Sequence, residues 1–182
     1  MIKSKAKGSA FERLVSNSLS TMFNYGNIES EKIFWRTINS GGFSKNKKMS
    51  TQDADITTIR PHQDAELFVK KFYIELKFYK SINIFALFSG SKCKLTEWID
   101  KIKIDNTLNK NFLLIFKQNN KKIILLTTKD VNDNYFKPLN FQYNMKLLIR
   151  NEYYYLYKFE DFLKLNIDEF MDIIKDNNNE SK

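Results

Sequence analysis

Val69-Lys70-Lys71-Phe72-Tyr73-Ile74-Glu75-Leu76-Lys77-Phe78 is the stretch whose reading decides the fold. Phe72, Ile74 and Leu76 fall on one side of an alternating pattern, and Tyr73, Glu75 and Lys77 fall on the other. The whole stretch reads as a β-strand. Residues two apart in a strand project from the same face, so Glu75 and Lys77 point into one space while Leu76 packs behind them. Alone, such a pair also fits an ordinary cross-strand charge pair on a solvent-facing strand.

Upstream, Asp55-Ile56 stands near the start of another expected strand, Ala54 to Arg60, in which Ile56 and Ile59 flank Thr57 and Thr58. If the two strands pair, Asp55 joins Glu75 on the same face. Pro61-His62-Gln63-Asp64 reads as the turn between them. A first strand is expected over Ile33 to Ile38, broken by Ser40-Gly41-Gly42, and Lys45 to Gln52 is polar enough to be a loop. Residues 9–24 read as an amphipathic helix: Phe11, Val15, Leu19, Met22 and Phe23 recur at helical spacing, with Leu14 widening the stripe. Asn24-Tyr25-Gly26-Asn27 ends it.

Downstream, a helix near Thr96 turns Trp98, Ile99 and Ile102 inward. Asn111 to Lys117 and Lys122 to Thr127 read as strands joined at Gln118-Asn119-Asn120-Lys121. Met145 to Ile149 and Tyr153 to Tyr157 read as another pair around Arg150-Asn151-Glu152. Phe159 to Leu165 and Ile167 to Ile174 read as helices, and Asp176 to Lys182 as a frayed polar end. This order predicts an α/β (α+β) fold with a central mixed sheet flanked by helices. One domain is expected over residues 1–182, with core motifs in 8–80, strands and helices in 92–175 and a tail at 176–182.

Composition bounds the function. The 182 residues are 42% hydrophobic and 15% aromatic, enough for one continuous core. A net charge of +9 attracts polyanions, which makes nucleic acid the first partner to consider. The surplus lies upstream: residues 1–50 carry +6, residues 51–158 carry +7 and residues 159–182 carry −4. The longest apolar run, near Ile84 to Phe88, is far short of the ~20 residues that cross a bilayer, so no membrane is expected. The basic start, Met1-Ile2-Lys3-Ser4-Lys5, precedes no apolar stretch of signal-peptide length, so a cytoplasmic location is expected. Cys93 is the only cysteine, which excludes an internal disulfide and a thiolate metal cluster and suits a buried small hydrophobe. Five Gly and two Pro argue against repeats or flexible linkers.

The constellation of Asp55, Glu75 and Lys77 carries chemistry. Two carboxylates with a main-chain carbonyl and water make a hard oxygen site suited to Mg²⁺, with Mn²⁺ expected to substitute. Such an ion activates water and offsets the charge that builds on a phosphodiester under attack. Lys77 could hold the attacking water or the phosphate and lower the repulsion between the carboxylates. Phosphodiester hydrolysis is the reaction these groups suit.

The arrangement resembles the PD-(D/E)xK nuclease superfamily, whose pattern is a strand-borne Asp followed by Glu-x-Lys in the next strand; here these are Asp55, Glu75 and Lys77. The upstream part is most similar to archaeal-type Holliday-junction resolvases, through Lys7-Gly8-Ser9, Glu12-Arg13, Arg36 and Ser40-Gly41-Gly42 in that order. The likeness covers roughly residues 5 to 80. It implies a restriction-endonuclease-like core, metal contacts from Glu12, Asp55 and Glu75, assistance from Lys77, and Arg13, Arg36 and Ser40 near the scissile phosphate. It also implies a homodimer, since two symmetric cuts need two sites. Ala54 stands where a proline is often seen, and Asp53 rivals Asp55, which is preferred because Ile56 follows it. Ser9-x-x-Glu12 equally fits a capping box.

Lys3, Lys5 and Lys7, with Lys45, Lys47, Lys48 and Lys80, are candidate phosphate contacts or simply a solvated surface. Phe43 beside them could wedge between bases, though core packing is the commoner fate. His62, single and in a turn, reads as a surface residue. Tyr153-Tyr154-Tyr155 with Tyr157 could stack on single strands, but one buried and one exposed strand face is the plainer reading. The acidic region from Phe159 to Asp176 reads as a helical cover with Phe162, Ile167, Phe170 and Ile174 inward. The expected activity is that of a Mg²⁺-dependent DNA endonuclease acting on branched or duplex DNA, most like a junction resolvase. A sequence-specific restriction or repair nuclease with the same residues is the alternative, and a non-catalytic DNA-binding module is the competing class.

Overall fold

A computed structural model describes residues 4–27, 31–37, 54–87, 89 and 92–179. Helix α1 (Ser4–Phe23) starts five residues before the expected Ser9, so Ser9 and Glu12 lie inside it and form no capping box. Its stripe of Phe11, Val15, Leu19, Met22 and Phe23 is buried, while Leu14 is exposed and does not widen it. A buried serine ties the helix to the first strand. Ser20 Oγ donates to the Ser16 carbonyl at 2.9 Å and accepts from the amides of Ile33 and Phe34 at 3.2 and 2.9 Å. Those amides open strand β1 (Phe34–Arg36), which pairs antiparallel with β2 (Ile56–Thr58) in the register Arg36 to Ile56.

The expected turn at Pro61 and the first residues of the expected long strand are instead a helix, α2 (Gln63–Lys71). His62 is its N-cap: Nδ1 accepts from the Ala65 amide at 3.3 Å, so this histidine is half-buried and has a structural task. Ala65 and Phe68, three apart, are the buried face of the helix. Strand β3 (Phe72–Tyr79) comes directly after it and is buried on both sides over most of its length.

A single 3-10 turn (Ile84–Leu87) leads to α3 (Lys94–Asp105), which buries Trp98, Ile99 and Ile102 as expected. Helix α3 is the crossover that lets β4 (Asn111–Gln118) lie parallel to β3, since parallel neighbours cannot be joined by a hairpin. Strand β5 (Ile123–Thr128) then returns antiparallel, and helix α4 (Lys129–Val131) runs into a π-helical turn at Asn132–Phe136. The pair β6 (Met145–Ile149) and β7 (Glu152–Lys158) is joined at Arg150 and Asn151, both with positive φ. Helices α5 (Phe159–Phe162) and α6 (Ile167–Asn179) close the fold, and α6 continues through Asp176 to Asn179, where a frayed end was expected.

The five-stranded sheet runs β3-β4-β5-β7-β6, with only the β3–β4 pair parallel. On one face α1, α2, α5 and α6 bury Phe72, Ile74 and Leu76 with Leu113, Ile115 and Leu125. Phe68 is central here, with ring centroids 5.3 Å from Phe23, 5.2 Å from Phe72 and 6.1 Å from Phe34 and Phe170. On the other face α3 and the 3-10 turn cover Tyr73, Phe112, Leu114 and Phe116, with Cys93 buried among them. This is a mixed central sheet flanked by helices, the restriction-endonuclease-like arrangement. Strand β7 is internal, so Tyr154 is buried on one face and Tyr155 and Tyr157 on the other; only Tyr153 is exposed. The tyrosine run is core rather than a stacking surface.

Candidate active site

Strand β2 does not pair with β3 as a ladder. Among the described residues a single main-chain bond links the start of β2 to β3: the Asp55 amide donates to the Ile74 carbonyl at 2.9 Å. The Asp55 side chain makes the next contact, with Oδ2 accepting from the Leu76 amide at 2.8 Å. A carboxylate thus takes the place of a strand carbonyl, which anchors Asp55 to the edge of β3. Thr37 holds the residue from behind. Its amide donates to the Asp55 carbonyl at 2.9 Å, and its buried Oγ1 donates to the Ala54 carbonyl at 2.6 Å.

Glu75 is only 6% exposed and accepts at Oε1 from Lys77 Nζ, the pairing that their shared strand face predicts. A charged group is costly to bury without a partner, and Lys77 supplies one to Glu75. Asp55 shows the cost of the arrangement. Burial, then the charge of Glu75, push its carboxyl from 3.8 up to about 7. Lys77 and the Leu76 amide pull the other way, and Glu12 adds a further upward push. Asp55 therefore lies within electrostatic reach of Glu12, Glu75 and Lys77 together.

Glu12 itself pairs with Arg36: NH1 donates to Glu12 Oε2 at 3.3 Å and to Ser9 Oγ at 3.0 Å. Exposure rises from Glu75 to Lys77 and Glu12, which are equally half-buried, and again to Arg36. A buried acidic floor thus opens to a cationic rim. Among the described residues no group of three His, Cys, Asp or Glu side chains is close enough to hold a metal ion. The close pair is Asp55 with Glu75, and Glu12 is turned to Arg36.

Lys7, Arg13 and Lys80 are exposed. Ser40, Lys45, Lys47 and Lys48, with Lys3, Phe43 and the rival Asp53, lie outside the described residues, as does the side chain of Lys5. Ser9 and Thr37 join the site through contacts the sequence reading did not assign. Thr37 acts on a main-chain carbonyl, which leaves no mark in a motif. Two surface grooves lie elsewhere, one between α1 and the α5–α6 connection and one between α3 and β6.

The fold and the Asp, Glu-x-Lys pattern on neighbouring strands define a nuclease of the restriction-endonuclease-like class. A family model described as "Phage putative PDDEXK endonuclease" matches residues 3–177, and the chain belongs to that family. No match is found among curated proteins or among solved structures. No described helix is long and apolar enough to cross a membrane.

Proposed function

We propose that this protein is a metal-dependent DNA endonuclease in which Asp55 and Glu75 hold a divalent cation and Lys77 assists the attack on a phosphodiester. The observation that carries the proposal is the Asp55 carboxyl, fixed by the Leu76 amide and raised to about 7 beside Glu75. Two carboxylates crowded in a desolvated place carry a charge that a cation would offset. The donor set is all oxygen, which fits Mg²⁺, an ion that keeps several waters and needs few protein ligands. When bound, the ion would activate water and neutralise charge on the phosphate.

The chain's own groups do the rest. The Leu76 amide orients Asp55, and Thr37 fixes the main chain on which Asp55 sits. Lys77 Nζ donates one hydrogen bond to Glu75, which leaves its other N–H groups for a phosphate oxygen or the attacking water. Glu12 is proposed as a third carboxylate that would turn from Arg36 to reach the cation. Arg36, bonded through NH1 to Ser9 and Glu12, retains donors on its other nitrogens for an incoming phosphate. Lys5, Lys7, Arg13, Ser40, Lys45, Lys47, Lys48 and Lys80 are the proposed phosphate contacts, and the +9 charge supports that role.

The finer reading is a junction-selective enzyme acting as a homodimer, supported by the resolvase-like order of Gly8-Ser9, Glu12-Arg13, Arg36 and Ser40-Gly41. Incubation with a four-way junction and with a linear duplex of the same sequence tests it in Mg²⁺ and in Mn²⁺. Paired symmetric cuts at the junction, with the duplex intact, are expected. Equal cutting of both, or cutting at defined duplex sequences, would leave an endonuclease that is not a resolvase. Binding without cutting in any divalent ion would leave only a binding module.

A further inference from the structure

The 3-10 turn after β3 exposes a phenylalanine on the side of the sheet that carries the carboxylates. Phe85 is 80% exposed, the most exposed large hydrophobic side chain among the described residues. Its turn is nevertheless firmly held. The Ile82 amide donates to Gln118 Oε1 at 3.2 Å, and the Asn83 carbonyl accepts from the Ala86 amide and from Cys93 Sγ, each at 3.3 Å. Ile82 and Ala86, on either side of Phe85, are buried in the same cluster as Ala54, next to Asp55, and Tyr73, two residues before Glu75. The turn therefore packs on the face of the sheet from which Glu75 and Lys77 project.

That face continues outward with an aromatic residue. Tyr79, two residues beyond Lys77 and so on the same side, is 39% exposed, braced edge-on by Trp98 at 6.0 Å. Lys94 Nζ lies 5.8 Å from its ring centroid, and Lys80 and Lys92 are exposed at the two ends of the turn segment. Rigid apolar rings among lysines suit stacked bases with their phosphates nearby, and a paired duplex offers no free base face to them.

We propose that Phe85, with Tyr79 on the same side of the sheet, stacks on unpaired bases near the cleaved phosphate and so favours branched or single-strand-flanked DNA. This rests on the nuclease reading above and names the part of the substrate that the site would read. The test measures affinity in EDTA, where no cutting occurs, by fluorescence anisotropy with a forked DNA and a fully paired duplex. Phe85→Ala is expected to weaken fork binding about tenfold, the order of one lost base stack, and to change duplex binding less than about twofold. Phe85→Trp is expected to restore fork binding. An exposed side chain has little packing to lose, so the melting temperature should not move, and Tyr79→Leu should give a smaller loss of the same kind.

Unchanged fork affinity in Phe85→Ala, or equal losses on fork and duplex, would overturn the inference, as would a change in the mass of the free protein, which would give Phe85 to a second copy. A wild type that binds no DNA at all would remove this inference and the proposed function together. Fork-selective binding lost in Phe85→Ala, in a wild type that never cuts with Mg²⁺ or Mn²⁺, would refute the catalytic proposal and leave this one standing.

Discussion

The two faces of β3 are built from the same eight residues and do opposite work. One face sets Phe72, Ile74 and Leu76 into an aromatic core beneath four helices. The other begins with buried Tyr73, then places Glu75 and Lys77 where a core would place apolar side chains, and draws Asp55 in beside them. The first face contributes stability. The second sacrifices some of it: an acid raised to about 7 is a group the metal-free fold holds poorly in its charged form. The proposed function is concentrated where the packing is least favourable.

The sharpest way to break this comparison is to remove charge from one face and volume from the other. Asp55→Asn and Glu75→Gln are expected to bring Mg²⁺-dependent cleavage to background, a loss of more than about a hundredfold, while DNA binding is kept or strengthened. Plasmid nicking beside a binding titration checks this, and circular dichroism confirms folding. On the opposite face, Phe72→Ala is expected to cost about 3–5 kcal/mol of stability, read by urea unfolding, with cleavage per folded molecule far less affected. A fully stable Phe72→Ala protein would mean that this face is not the structural one.

The next effect is pH dependence. A carboxyl whose folded-state value is raised above its unfolded value stabilises the fold at low pH and loses that contribution as pH rises through the folded value. For Asp55, raised from 3.8 to about 7, the stability of the metal-free protein should fall between about pH 4 and pH 7. Asp55→Asn should flatten that part of the curve and melt higher than wild type at pH 8, because the amide oxygen can still accept from the Leu76 amide. A wild type whose stability rises across that range would show that Asp55 is not the crowded group described here.

The smallest effect is expected at the rim. Glu12→Gln should reduce cleavage about tenfold, less than either buried carboxylate, because Glu12 already answers to Arg36. Full activity in Glu12→Gln would confine Glu12 to holding Arg36.

Legibility in the sequence divides along the same line. Alternation in Phe72–Phe78 announced both faces of β3, because a period of two survives any tertiary context that buries the strand. The hairpins at Asn120 and at Arg150-Asn151 were legible from their turn residues, and these adopt positive φ. Helix α2 was not. Val69 drew its last turn into the strand reading, and its cap is His62, which is not among the usual capping residues. The burial of Tyr154 on one face and of Tyr155 and Tyr157 on the other escaped because it depends on helices covering both faces of β7, which no local pattern reveals. At the site, Asp55, Glu75 and Lys77 were readable as side chains at telling intervals. Thr37 and Ser9 were not, since one acts on the Ala54 carbonyl and the other on an arginine 27 positions away.

The central claim, that Asp55 and Glu75 form one cation site on an otherwise apolar strand, is tested most directly by Mn²⁺ titration calorimetry on wild type and on folded Asp55→Asn. The account predicts saturable binding by the wild type, weakened at least tenfold in the variant. Equal binding by both proteins, or no saturable binding by the wild type, would contradict it.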